Sequence, residues 1–133
     1  MEIALFGGSF NPPYIGHFLI CKYILRVGLA DSIYILPVFK HPLGKKLLEF
    51  KHRKRMCEIL FHNVRDIRVK NWELYNESGR TINLLRWIFS QWSNTKFKLI
   101  IGSDCIGEKD KWKDFSKIEK NGRYYCCGPF NYG

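Results

Sequence analysis

A chain of 133 residues that is 46% hydrophobic and 16% aromatic can bury one domain's core, and this composition excludes intrinsic disorder. A net charge of +10 favours polyanionic partners, a class that holds nucleotides, nucleic acid and acidic membrane surfaces alike. No apolar run approaches the ~20 residues needed to cross a bilayer, so no membrane partner is expected. Glu2 stands where a secretory signal would carry positive charge, and the apolar stretch behind it is short, so the expected location is the cytoplasm. The five cysteines, at 21, 57, 105, 126 and 127, include no C-x-x-C pair, which argues for free thiols rather than a zinc site or a disulfide framework.

In chain order, Ile3 to Phe6 reads as a strand and Phe18 to Val27 as a helix closed by Gly28. Ser32 to Leu36 is a second strand. Lys51 to Phe61 is an amphipathic helix with Met56, Ile59 and Leu60 on its apolar side and Arg53, Lys54 and Arg55 near its start. Asp66 to Val69 is a third strand. Thr81 to Trp92 is a third helix, with Ile82, Leu85 and Phe89 along one face. Phe97 to Ile101 is nearly all apolar, as befits a strand covered on both sides, and Arg123 to Cys127 is a candidate fifth. No linker or repeat interrupts residues 1–133, which read as a single domain. Alternating β and α units imply an α/β fold with a doubly wound parallel sheet, whose ligands sit beyond the carboxyl ends of its strands.

The candidate functional residues follow the strands. After the first comes Gly7-Gly-Ser-Phe-Asn-Pro-Pro-Tyr-Ile-Gly-His17. A glycine-rich loop running into a helix N-terminus aims unpaired N–H groups and the positive end of the helix dipole at one point, which favours phosphate. Gly7 and Gly8 allow a nucleotide to touch the backbone, Pro12 and Pro13 stiffen the loop, and His17 adds a side-chain donor. The expected ligand is a triphosphate. After the second strand, Pro37 to Lys46 is a punctuated loop with Lys45 and Lys46 as candidate phosphate-holding point charges or simply a solvated basic face. After the fourth, Gly102 permits close approach of a ligand and Asp104 can accept ribose hydroxyls. His41, His52 and His62 lack metal-ligand spacing, and Trp72, Trp87 and Trp92 read as structural.

The first loop resembles the opening signature of the nucleotidylyltransferase superfamily, G-x-F-x-P-x-[H/T]-x-G-H, at Gly8, Phe10, Pro12, Gly16 and His17. The string Gly-Gly-Ser-Phe-Asn-Pro-Pro is most similar to the nicotinate-nucleotide adenylyltransferase family. The resemblance implies a Rossmann-like nucleotidylyltransferase fold and transfer of the adenylyl group of ATP, as its Mg²⁺ complex, to nicotinate mononucleotide. It implies that Gly7, Gly8, Ser9, Phe10, Gly16, His17, Gly102 and Asp104 bind ATP, with His17 and Tyr14 beside the reacting phosphate. It also implies that Lys45, Lys46, Thr81 and Trp112 bind the acceptor, with Trp112 stacked on the nicotinate ring and no metal ligated by the protein. Thr81 also fits an ordinary helix N-cap.

Four departures accompany the resemblance. Tyr14 replaces the usual His or Thr, Arg80 stands where tyrosine is common, Asn83 where aspartate is common, and the family's Ile-Ser-Ser-Thr-x-Ile-Arg segment is absent from these 133 residues. A C-terminally truncated, fragmentary or divergent short form each fits that absence. Two other readings stay open: a sister nucleotidylyltransferase with another phosphate acceptor such as phosphopantetheine, and a non-catalytic nucleotide or nucleic-acid binder. Nucleic acid is not the expected partner, and neither the oligomeric state nor nicotinate against nicotinamide preference can be read from these residues.

Overall fold

The computed structural model describes residues 2–39, 46–76, 81–102 and 123–127, and of 81–82, 101–102 and 123–127 the backbone alone. Five strands, β1 (Glu2–Gly8), β2 (Ser32–Pro37), β3 (Ile67–Val69), β4 (Lys96–Gly102) and β5 (Arg123–Cys127), form one sheet in the order β3-β2-β1-β4-β5, and every pairing is parallel. Three helices, α1 (Ile15–Arg26), α2 (Phe50–Phe61) and α3 (Thr81–Gln91), and a 3₁₀ turn at Trp72–Tyr75 connect them.

Strand alternation divides the core into two layers. Ile3 and Leu5 of β1 join Phe97 and Leu99 of β4 under α3, where Leu84, Leu85, Ile88 and Trp72 complete one cluster. Ala4 and Phe6 point to the opposite face, beside Ile33, Ile35 and Ile100, and are covered by Ile20, Cys21 and Ile24 of α1 and Cys57 and Phe61 of α2. The sheet is therefore doubly wound, with helices on both faces. Trp72 stacks on Trp92 at 4.6 Å between ring centres and meets Trp87 edge-on at 6.1 Å, so these three tryptophans are structural, as expected. Cys21 and Cys57 are buried free thiols, and burial pushes the Cys57 thiol up to about 12, which keeps it unreactive.

Two sequence expectations need correction. Helix α1 begins at Ile15 rather than Phe18, so Gly16 and His17 belong to its first turn and not to the loop. The cause is local: the His17 ring accepts the Tyr14 N–H and the His17 N–H returns to the Tyr14 carbonyl, which closes the turn early. In α2 the buried stripe is Arg53, Cys57 and Phe61 at i, i+4 and i+8, whereas Ile59 is 56% exposed. Arg53 is drawn inward by carbonyl partners that only the tertiary structure supplies. The sequence also carried no expectation for the 3₁₀ turn.

At its other end α1 stops as anticipated. Gly28 takes φ +77°, Leu29 N–H donates to the Ile24 carbonyl at 3.1 Å and Gly28 N–H to that of Leu25 at 3.3 Å. Two of the last turn's carbonyls are thereby satisfied, and Leu29 packs into the same core layer as Ile24. At the amino end of the sheet, Lys98 pairs with Glu2 at 2.6 Å and donates to the Leu29 carbonyl at 2.9 Å. That polar cluster lies at the end opposite the glycines.

Candidate active site

Connection order places the site. From β1 the chain winds outward through β2 to β3, then crosses back so that β4 lies on the other side of β1. The reversal opens a crevice at the carboxyl ends of β1 and β4. Gly7 and Gly8 end β1 there. Phe6 pairs with Ile100, so Gly102 lies two residues further on at the same end of the adjacent strand. Gly7 is exposed, and a Cβ there would meet nothing within 4 Å, so its backbone faces open space.

The loop from Ser9 to Tyr14 is held by an aromatic plug. Phe10 adopts φ +47°, a left-handed conformation that costs a bulky residue about 1–3 kcal/mol. Its ring is 3% exposed and packs edge-on against Phe6 at 5.4 Å and His17 at 4.8 Å. Burying such a ring contributes about 2 kcal/mol, enough to offset the strain. The loop is also tied to the chain beyond the second strand: Asn11 Oδ1 accepts the Leu48 N–H at 3.0 Å. The Arg53 guanidinium, 1% exposed, donates from Nη1 to the Ser9 carbonyl at 2.9 Å and from Nε to that of Leu48 at 2.7 Å.

His17 is the third residue of α1. Three rings surround it edge-on, Tyr14 at 4.3 Å, Phe10 at 4.8 Å and Phe6 at 5.8 Å. Removal from water holds the imidazole at about 4, far below its ordinary 6.5, so the ring is neutral near pH 7. Nδ1 accepts the Tyr14 N–H at 3.0 Å, which leaves the single proton on Nε2. Nε2 has no hydrogen-bond partner among the described residues and is not sealed from solvent. The result is an uncharged, pre-oriented N–H donor in the first turn of a 12-residue helix whose first turn has no acidic side chain to repel phosphate. His17 therefore serves as helix cap and available donor at once, and in the free protein it is not a cation.

Tyr14 is the residue before α1, in extended conformation at φ −145° and ψ 176°. Its ring packs edge-on against His17 and lies where a Cβ on Gly16 would come, at 2.5 Å, so a side chain at position 16 would have to displace the Tyr14 ring from its present place. Gly7, Gly8, Ser9, Phe10, Tyr14, Gly16 and His17 are thus brought together, with Gly102 at the neighbouring strand end. Lys46 is exposed and lies two residues before Leu48, which the loop holds. Thr81 is the first residue of α3 rather than the one before it. Lys45, Asp104, Trp112, Arg80 and His41 fall outside the described residues.

Sequence reasoning missed Arg53 and Glu73. An apolar i, i+4 series ending in Cys57 and Phe61 would have placed Arg53 on the buried side of α2. Glu73 carries no such signal. It is 5% exposed in the 3₁₀ turn, Asn76 Nδ2 donates to its Oε1 at 3.0 Å, and burial raises its carboxyl to about 7. Among the described residues no three His, Cys, Asp or Glu side chains cluster to hold a metal.

The cytidylyltransferase-like family model matches residues 5–127. Among curated proteins, the chain is 34% identical to a probable nicotinate-nucleotide adenylyltransferase of Myxococcus xanthus over 92% of this chain and 66% of the relative. It is 31% identical to one of Anaeromyxobacter dehalogenans strain 2CP-C over 96% of this chain and 70% of the relative. The chain thus spans about two thirds of the length of the curated relatives it matches. The fold resembles that of Plasmodium falciparum nicotinic acid mononucleotide adenylyltransferase complexed with NaAD, with a TM-score of 0.79 at 23% identity over 99% of this chain and 77% of that one.

Proposed function

Because this chain belongs to the nicotinate-nucleotide adenylyltransferase family of nucleotidyltransferases, we propose that it transfers the adenylyl group of ATP to nicotinate mononucleotide, giving deamido-NAD and pyrophosphate. The reaction is a step of NAD biosynthesis and is assigned to the cytoplasm. An oxygen of the mononucleotide's phosphate attacks the α-phosphorus of ATP, and the bond from that phosphorus to the bridging oxygen of pyrophosphate breaks. The attacking phosphate is already ionised, so no general base is required. What the protein supplies is position and hydrogen bonding to the charge that builds on the phosphoryl oxygens.

The observation that carries this reading is the neutral His17 Nε2–H, fixed by the Tyr14 N–H at the crevice end of the sheet. In this reading His17 donates to ATP phosphate together with the amides of Gly7, Gly8, Ser9 and Phe10 and the first-turn amide of Gly16, and Tyr14 borders the same phosphate. Gly102 and Asp104 take the ribose side. Lys45, Lys46 and Thr81 hold the acceptor, and Trp112 stacks on its ring. Mg²⁺ arrives as part of the ATP complex, on the nucleotide's own phosphate oxygens.

Pyrophosphate release tests the proposal. The protein is given ATP and Mg²⁺ with nicotinate mononucleotide, nicotinamide mononucleotide or phosphopantetheine in turn. Release with a pyridine mononucleotide alone is the expected result. Release with phosphopantetheine would reassign the acceptor, and release with none, from protein that binds ATP, would mark a binding module.

A further inference from the structure

We propose that Arg53 is a positioning residue that, together with Asn11, locks the glycine-rich loop to the segment carrying Lys46, so that the two phosphate-binding loops keep one fixed separation. The assignment of those loops to ATP and acceptor rests on the function proposed above. The lock itself rests on geometry. Ser9 lies in the first loop and Leu48 beyond the second strand, 39 positions later in the sequence. The guanidinium of Arg53 bonds to the carbonyls of both, at 2.9 and 2.7 Å, and Asn11 Oδ1 takes the N–H of the same Leu48 at 3.0 Å. Three hydrogen bonds therefore join two loops that the helix α1 and strand β2 separate in the sequence.

The lock has an energetic oddity that argues for a purpose. Arg53 is 1% exposed and has no carboxylate partner among the described residues. A buried cation is costly unless its donors are used, and a well-packed apolar residue at such a site is often as stable or more so. Among the described residues the charge is met by the carbonyl dipoles of Ser9 and Leu48 and by the face of Phe50, 5.7 Å away. What a guanidinium offers that methionine or leucine does not is a rigid fork that fixes the angle and distance between two carbonyls. Fixed separation of reactants is also what an in-line transfer without a general base depends on, since a displacement of about 1 Å costs on the order of 10²-fold in rate.

Two variants test this. Arg53→Lys keeps the charge, but one ammonium cannot span both carbonyls. Asn11→Ala removes the acceptor for the Leu48 N–H without leaving a buried charge unpaired, and so decides the matter if Arg53→Lys does not fold. Amide hydrogen exchange at Leu48 should quicken about tenfold or more in Arg53→Lys, although Asn11 is intact there, while Leu5 in β1 is unchanged. In either variant kcat should fall on the order of 10²-fold with KM for ATP and for acceptor within about threefold, and the double variant should lose no more than either alone. Unchanged exchange at Leu48, equal acceleration at Leu5, an unchanged kcat or losses that simply add would each overturn the lock. If the unaltered protein releases no pyrophosphate with any acceptor, the proposed function fails, and the exchange measurement still decides the lock.

Discussion

The neutral state of His17 leads to a measurable pH response. The folded protein holds this imidazole at about 4 against 6.5 when unfolded, and burial between Tyr14, Phe10 and Phe6 is the cause. Below its ordinary value the unfolded chain takes up a proton that the folded ring refuses, so the contribution to stability is complete above pH 6.5 and is lost as the pH falls toward 4. At ~1.36 kcal/mol per decade the full difference is roughly 3 kcal/mol. His17 is only partly buried, and screening by the water that reaches it reduces this to about 1–2 kcal/mol. Urea unfolding should therefore show the unaltered protein losing about that much more than His17→Gln between pH 7 and pH 4.5. NMR titration of the ring, identified by its disappearance in His17→Gln, should give a midpoint near 4 with the proton on Nε2. His17→Ala, which leaves no side-chain donor, should fold and lose on the order of 10²-fold in kcat, as loss of a donor to a developing phosphoryl charge does. A proton on Nδ1 would refute the Nε2 donor, and a midpoint near 6.5 would refute the desolvated cage and let His17 carry charge as the pH falls below that value.

Glu73 should respond in the opposite sense, because its raised carboxyl keeps a proton between 4.5 and about 7 that the unfolded chain gives up, so its contribution falls by about 3 kcal/mol as the pH rises through that window. Glu73→Gln is permanently neutral and keeps the oxygen that accepts from Asn76, so its urea midpoint should exceed that of the unaltered protein at pH 8 and approach it at pH 5. Equal differences at both pH values would rule out the buried carboxyl. Gly28→Ala should cost about 1 kcal/mol in thermal or urea unfolding, since φ +77° is strained for alanine while open space surrounds the added methyl. No loss would mean that α1 ends in another way. For the same reason its effect on kcat should be negligible, since Gly28 lies at the far end of α1 from His17.

The order of elements was legible in the sequence because each carries a local signal. Ile3 to Phe6 and Phe97 to Ile101 read as apolar runs of strand length, and both are strands, with Ile3, Leu5, Phe97 and Leu99 buried on one face and Ala4, Phe6 and Ile100 on the other. Gly28 announced the end of α1 through a left-handed residue that only glycine adopts cheaply. The glycine-rich string before His17 was legible as a tight loop between a strand and a helix, and its residues gather at the crevice end of the sheet. What local signals misjudged was the start of α1. The expectation treated Gly16 and His17 as loop, whereas a side-chain-to-backbone bond between His17 and Tyr14 recruits both into the helix.

Sequence by itself thus determined the alternation of strands and helices, the class of fold and the family. These follow from periodicity, turn chemistry and an ordered motif, all of which act over a few residues. Only the tertiary structure decided the charge state of His17, the burial of Arg53 and the raised carboxyl of Glu73. An imidazole loses its proton because Phe6 and Phe10 close around it, and an arginine turns inward because the carbonyls of Ser9 and Leu48 converge on it. Desolvation and hydrogen bonding depend on which groups meet in space, and the residues that meet here lie up to 44 positions apart along the chain.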